Sequence, residues 1–230
     1  MLDQFTEEAI KAEADKAAEE SYQSRGQYFN PDYHDPADSA EAAFEDGVWR
    51  YELLCELRDQ TRFNIIAAFF YEWEKNIRQW LVDQLRFWHR GEVTKEKLWA
   101  ANLGLIMDLL DTFEWDLKSA SWYTALDACR LVVNVHKHGD GPSLRSLKES
   151  HPAFLVDPLA DMGLGDFPVR EMTHKQLKVN DDDLDAFADA ITEFWRGLPA
   201  DTTAEQISDP PEWFIKALER DRKREKAAST

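Results

Sequence analysis

Apolar residues recur at spacings of three and four over most of this chain. That period admits amphipathic helices and excludes a sheet built on strict alternation. From about Ala40 to Trp88 the pattern runs through Phe44, Val48, Tyr51, Leu54 and Cys55, and then through Phe63, Ile66, Phe70, Trp73, Ile77, Trp80 and Leu81. It predicts one long helix, or two broken near Asp59–Thr61, ending at Gly91. Thr94 opens a further helix that continues through Leu103, Ile106, Leu109 and Leu110 to Phe113. After a break near Asp116, a helix is expected from Leu117 to about His138, where Gly139 and Gly141 stop it. Ser143–Glu149 forms a short helix closed by His151-Pro152.

The flanks follow the same logic. Thr6–Gln23 is an Ala/Glu/Lys-rich helix. Ser24–Asp38 carries Asn-Pro and Asp-Pro breakers and reads as a loop, with Asp38 or Ser39 capping the helix that follows. Ala153–Asn180, with Gly163, Gly165 and Pro168, is irregular, and Pro168–Val179 is expected to hold a short strand or hairpin. Asp181-Asp182-Asp183 places negative charge at the start of a helix running to Gly197, which suits its dipole. Pro210 and Pro211 open the last helix, and Asp221–Thr230 reads as a frayed, charged tail. The expectation is an all-α bundle in three parts: an N-terminal helix and loop over 1–38, a core over 39–152, and a C-terminal helical appendix over 153–230.

Composition supports a folded core. Of 230 residues, 43% are hydrophobic and 12% aromatic, so wholesale disorder is excluded. The nine tryptophans are expected as core and dimer anchors. The N-terminus is acidic and lacks the apolar stretch of a signal peptide, and no apolar run reaches the ~18 residues of a membrane span. A soluble cytoplasmic protein, without membrane association, is expected. Cys55 and Cys129 lie inside helical patterns and read as two buried thiols in a reducing compartment. A formal net charge of −18 argues against a general nucleic-acid binder, because phosphate neutralisation needs a Lys/Arg footprint.

The most informative chemistry lies between Arg130 and Ser143. On a helix of about 100° per residue with Arg130 at zero, Asn134 falls at about 40°, Lys137 at about −20° and His138 at about 80°. Asp127 and Tyr123, one and two turns earlier, fall at about 60° and 20°. These six polar side chains share one arc, while Cys129, Leu131, Val132, Val133 and Val135 lie outside it. His136 falls among the valines. A polar helix face with a glycine stop is the ordinary explanation of such a stripe. A fixed cation, an amide and imidazoles together are also the groups that hold a phosphate and move a proton.

Arg130, followed after five residues by His136, matches the Arg-to-His motif of HEPN domains. Asn134, Lys137, His138, Gly139, Asp140, Gly141 and Ser143 resemble the Asn-x-x-Lys-His-Gly-x-Gly-x-Ser signature of a bacterial HEPN-like group. The upstream segment FFYEWEKNIRQWL, with Glu72 and Glu74, resembles the acidic helix that faces the motif helix in that family. The resemblance covers roughly Glu45–Ser150. It implies a HEPN-like helical bundle that forms a homodimer, with Arg and His of two protomers meeting in a cleft that cleaves RNA without a metal or other cofactor. Arg130 would then stabilise the phosphorane, Asn134 would orient the imidazole or phosphate, and a histidine would be the general acid or base. Motif spacing nominates His136 and the helical wheel nominates His138; a tight or frayed turn near Val135 would let either face the cleft. Lys137, Tyr123, Asp127 and Ser143 complete the expected substrate-binding set.

Two functions are thus expected. One is a metal-independent endoribonuclease of a toxin or phage-defence type. The other is a catalytically silent HEPN-like binding or immunity protein that sequesters a partner such as a cognate antitoxin. The retained Arg, Asn, Lys and His favour the first, and the charge of −18 favours the second. Among the remaining candidates, Glu72 and Glu74 read as solvated helix carboxylates, one of which could pair with Arg130. His34, His89, His151 and His174 are isolated in sequence, and no metal-ligand spacing is present. The basic run Arg220, Arg222, Lys223, Arg224 and Lys226 reads as a solvated helix end.

Overall fold

The computed structural model describes residues 5–113, 115, 117–160, 166–199 and 202–228. Gly163 and Gly165, and the break expected at Asp116, lie outside these. Eight α-helices are present among the described residues: α1 (Glu7–Gly26), α2 (Pro36–Leu85), α3 (Glu92–Ala100), α4 (Leu103–Asp111), α5 (Tyr123–His138), α6 (Pro142–Ser150), α7 (Asp181–Gly197) and α8 (Glu212–Ala228). The all-α class follows from the period of the apolar residues, and no strand forms among the described residues.

The chain divides into two units, 1–64 and 65–230, so a unit boundary falls inside α2. The segment after residue 152 belongs to the same unit as α5 and α6. α2 runs unbroken for 50 residues. The polar stretch at Asp59–Thr61 does not interrupt it. Asp59 accepts from Arg62 at 3.1 Å, and Thr61 Oγ1 donates back to the Leu57 carbonyl at 2.7 Å, so these side chains are satisfied within the helix.

In the first unit α1 lies along the start of α2. Its buried apolar residues are small or few: Ile10, Ala14, Ala43 and Phe63. Polar contacts tie the two helices. Arg25 and Ser21 both reach Asp46, at 3.0 and 2.6 Å, and Tyr51 donates to Glu7 at 2.6 Å. Phe44 and Val48, expected on an apolar core face, are 69% and 40% exposed, and Cys55 is only half-buried. α1 thus leaves Phe44 and Val48 of α2 largely uncovered.

The second unit contains most of the large buried side chains. α5 packs against α6 and α7, and α3 packs against α8. Leu131, Val132, Val133 and Val135 are at most 2% exposed, as the helical wheel requires. Cys129 is fully buried, and burial pushes its thiol up to about 12. Phe194 of α7 meets Trp73 and Trp122 edge-on, each at 5.3 Å between ring centroids. Trp73 is buried and Trp122 half-buried, whereas Trp49 and Trp99, also expected as anchors, are 63% and 41% exposed.

Several boundaries differ from the sequence expectation. The helix predicted through Leu103 is two helices, because Asn102 caps α4 by accepting from Leu105 N at 3.0 Å. The helix predicted from Leu117 begins at Tyr123, with a 3-10 turn at Leu117–Ser119 before it. The strand or hairpin expected over Pro168–Val179 is replaced by 3-10 turns at Val169–Glu171 and His174–Gln176. Only an isolated antiparallel bridge joins Leu155 to Leu177. At the start of α7, Asn180 and Asp183 form a reciprocal capping box, which explains one of the three consecutive aspartates.

The expected fraying from Asp221 is also corrected: α8 continues to Ala228, and Asp221 is buried. Its carboxylate accepts from Val93 N at 2.9 Å, Thr94 N at 2.8 Å and Thr94 Oγ1 at 2.7 Å, closing the N-terminus of α3 from another helix. His89 Nε2 lies 3.2 Å away on the same oxygen as the Thr94 contacts. A Cβ on Gly91 would sit 1.9 Å from Asp221 Oδ2, so this position admits only glycine.

Candidate functional site

The stripe that the helical wheel placed on one face of α5 lines one side of a groove. Tyr123, Asp127, Arg130, Asn134 and Lys137 face α4 and the second half of α2 across a volume of about 630 Å³. Phe70, Tyr71 and Glu74 of α2 form another wall, and Met107, Asp108 and Asp111 of α4 a third. The spacing of the stripe follows from the helix period. The groove itself follows from α4, whose apolar side is buried through Ile106, Leu109 and Leu110, leaving Met107, Asp108 and Asp111 turned toward α5.

Charge within the groove is already largely paired. Arg130 donates to Asp127 Oδ1 from Nε at 3.0 Å and from one terminal nitrogen at 2.6 Å. The other oxygen of Asp127 meets His151 Nε2 at 3.2 Å. Glu74 pairs with buried Arg78 at 2.8 Å, and Arg78 also donates to the Ala101 carbonyl at 2.9 Å. Glu72 pairs with Lys75 at 2.6 Å. The possible pairing of one of these glutamates with Arg130 is therefore corrected: the partner of Arg130 is Asp127, three residues earlier on its own helix. Lys137 Nζ lies 5.2 Å from the centre of the Tyr71 ring, a cation–π contact that leaves the ammonium accessible.

The histidines of the motif fall elsewhere. His138 is exposed on the last turn of α5 and does not line the groove. His136 is half-buried on another face, where burial pulls its pKa below the ordinary imidazole range. Ser143 lies in the first turn of α6, half-buried and outside the groove. The remaining glycine-rich signature has a structural use. Gly139 ends α5 with φ +66°, and Asp140 Oδ1 then accepts from His174 N at 2.7 Å and lies 3.0 Å from His174 Nδ1. These contacts hold the Asp140 carboxyl below its usual range, the backbone hydrogen bond from His174 contributing most.

Three histidines that look isolated in sequence thus have carboxylate partners: His89 with Asp221, and, nearer the stripe, His151 with Asp127 and His174 with Asp140. The sequence carries no local signal for the last two. Their separations are 24 and 34 residues, and only the packing of the segments after α5 brings them together. Among the described residues, no three His, Cys, Asp or Glu side chains converge as a metal-binding group. No family model, curated protein or solved structure matches the chain.

Proposed function

We propose that the chain is a HEPN-like binding protein whose groove between α4 and α5 receives a partner protein. One observation supports this reading above the others: Arg130 is closed onto Asp127, and neither motif histidine lines the groove beside it. Cleavage through a ribose 2′-hydroxyl needs an imidazole within hydrogen-bond reach of the reacting oxygen and a cation able to take up the phosphorane charge. The groove instead offers alternating signs, with Asp108 and Asp111 opposite Arg130 and Lys137, over an apolar floor of Phe70, Leu103 and Met107. Such a surface suits a polypeptide of mixed charge better than a polyanion, and the net charge of −18 points the same way. The first partner to consider is a second copy, the homodimer that the resemblance implies. A cytoplasmic setting is consistent with two free cysteines and with the absence, among the described residues, of a helix long and apolar enough to cross a membrane.

A metal-independent endoribonuclease of a toxin or defence type is the second reading. It is favoured by the exposure of Lys137 and His138 on the last turn of α5, where a second protomer could complete a composite site with Arg130 and Asn134. One assay separates the two readings. Purified protein incubated with labelled RNA in EDTA should leave it intact, while sedimentation shows a complex that Met107→Arg disrupts. RNA cutting that Arg130→Ala or His138→Ala abolishes would overturn the binding reading in favour of the enzyme.

A further inference from the structure

A second cleft lies apart from the Arg130 groove, between the C-terminal end of α2 and α3, with a volume of about 460 Å³. Its floor is apolar. Val82 and Leu85 are 4% exposed and Leu98 is fully buried, yet all three contribute to the cleft wall. Its rim carries Arg86, Arg90 and Lys95 against a single carboxylate, Glu92. In a chain with 27 Lys and Arg against 45 Asp and Glu, that local excess of positive charge runs against the molecule as a whole.

The rim cations are available. Arg90 donates through Nε to the Arg86 carbonyl at 3.2 Å, which fixes its stem, and among the described residues no carboxylate pairs with its guanidinium. Arg86 and Lys95 make exposed contacts with Asp83 at 3.4 Å and Glu92 at 3.3 Å. Contacts of that kind contribute little and yield readily to a better anion. The wall behind the rim is rigid, because His89, Thr94 and Asp221 are joined by the hydrogen bonds that cap α3. The Asp221 carboxylate is saturated by those donors and is not part of the cleft lining. An apolar floor under a preformed cationic rim, in a volume of this size, is the arrangement of a small-ligand site rather than of a flat docking face.

We propose that this cleft binds a small amphiphile with an oxyanion headgroup, a carboxylate or phosphate monoester, its apolar body lying over Val82, Leu85 and Leu98 and its headgroup held by Arg90 with Lys95 and Arg86. Guanidinium presents paired donors to such a headgroup, and the short apolar floor limits the body to a chain of moderate length. This assignment is independent of the reading of the Arg130 groove.

The test is calorimetric titration of the full chain with octanoate, octyl phosphate, octanol and octyltrimethylammonium, with amide chemical shifts followed at Gly91 and Lys95. One or both anionic probes should bind once per chain and shift those amides. Octanol should bind at least about tenfold more weakly, and the cationic probe not measurably. Arg90→Ala should weaken anion binding about tenfold, the loss of one charge-assisted pair, with the thermal midpoint unchanged because Arg90 is exposed. Equal affinity for octanoate and octanol, unchanged affinity in Arg90→Ala, or unmoved Gly91 and Lys95 amides would overturn the proposal. So would binding to anionic phospholipid vesicles with no binding of either soluble anion, which would make the basic rim a membrane contact.

Discussion

Asp221 shows how much a single side chain can decide. Burial alone would push its carboxyl up, but hydrogen bonds from Thr94, Val93 and His89 outweigh that and hold it below the usual carboxylate range. The stability linked to a depressed carboxyl is present above the unfolded pKa and is lost as pH falls through the lower folded value. Wild-type protein should therefore lose stability as pH falls below about 4, the ordinary Asp value. Asp221→Asn should flatten that part of the profile. Asp221→Ala should cost about 3 kcal/mol at neutral pH, since it strands buried donors at the start of α3, a loss that denaturant titration can measure. In sequence this residue lies in a charged run and reads as part of a frayed end. The donors it satisfies are more than 120 positions away, as the 127-residue separation from Thr94 shows, and no local pattern announces them. Arg130 and Asp127 are the opposite case. A separation of three on a helix places them together from the period alone, and the structure has them bonded.

At the scale of elements, the end of α5 joins a helix stop to a tertiary latch. Gly139 takes a positive φ that a side chain resists, so Gly139→Ala should destabilise the protein by about 1 kcal/mol in thermal or chemical unfolding. Asp140 then pins the His174 turn through two contacts. Asp140→Ala should speed hydrogen exchange at the His174 amide while leaving the interior of α5 protected. Gly139 and Asp140 thus each have a use in the chain's geometry. The stop at Gly139 was readable, because glycine after a periodic run is a local signal. The strand expected over Pro168–Val179 does not form: the segment folds into 3-10 turns, and a lone bridge to Leu155 offers too few partners for a sheet. Similarly, Asn102 divides one predicted helix into two because its side chain competes for the backbone donors of the next turn.

Across the whole molecule, apolar burial is unevenly shared. The unit over 65–230 holds the fully buried Phe194, Phe214, Leu98, Leu109 and Leu147, whereas that over 1–64 buries Ile10 and Phe63 and little else of size. Local opening is easiest where few apolar contacts must be lost. Hydrogen exchange should therefore be fastest, among the helices, in α1 and the first turns of α2, and slowest in the middle of α5. Uniform protection of α1 and α5 would show that the first unit has a source of stability beyond its own buried residues.

The amino-acid sequence by itself determined the helical class, the face of α5 that carries Arg130, the face of α5 that enters the core, and the stop at Gly139. All of these depend on residues within a few positions of one another, where the helix period fixes geometry. Only the tertiary structure decided that α4 closes a groove over the stripe, that His151 and His174 find carboxylates, that the motif histidines stay outside the groove, and that Asp221 caps α3. Each of these depends on how separate helices meet. That is set by the sum of many small burial and packing terms across the fold, which no short stretch of sequence contains.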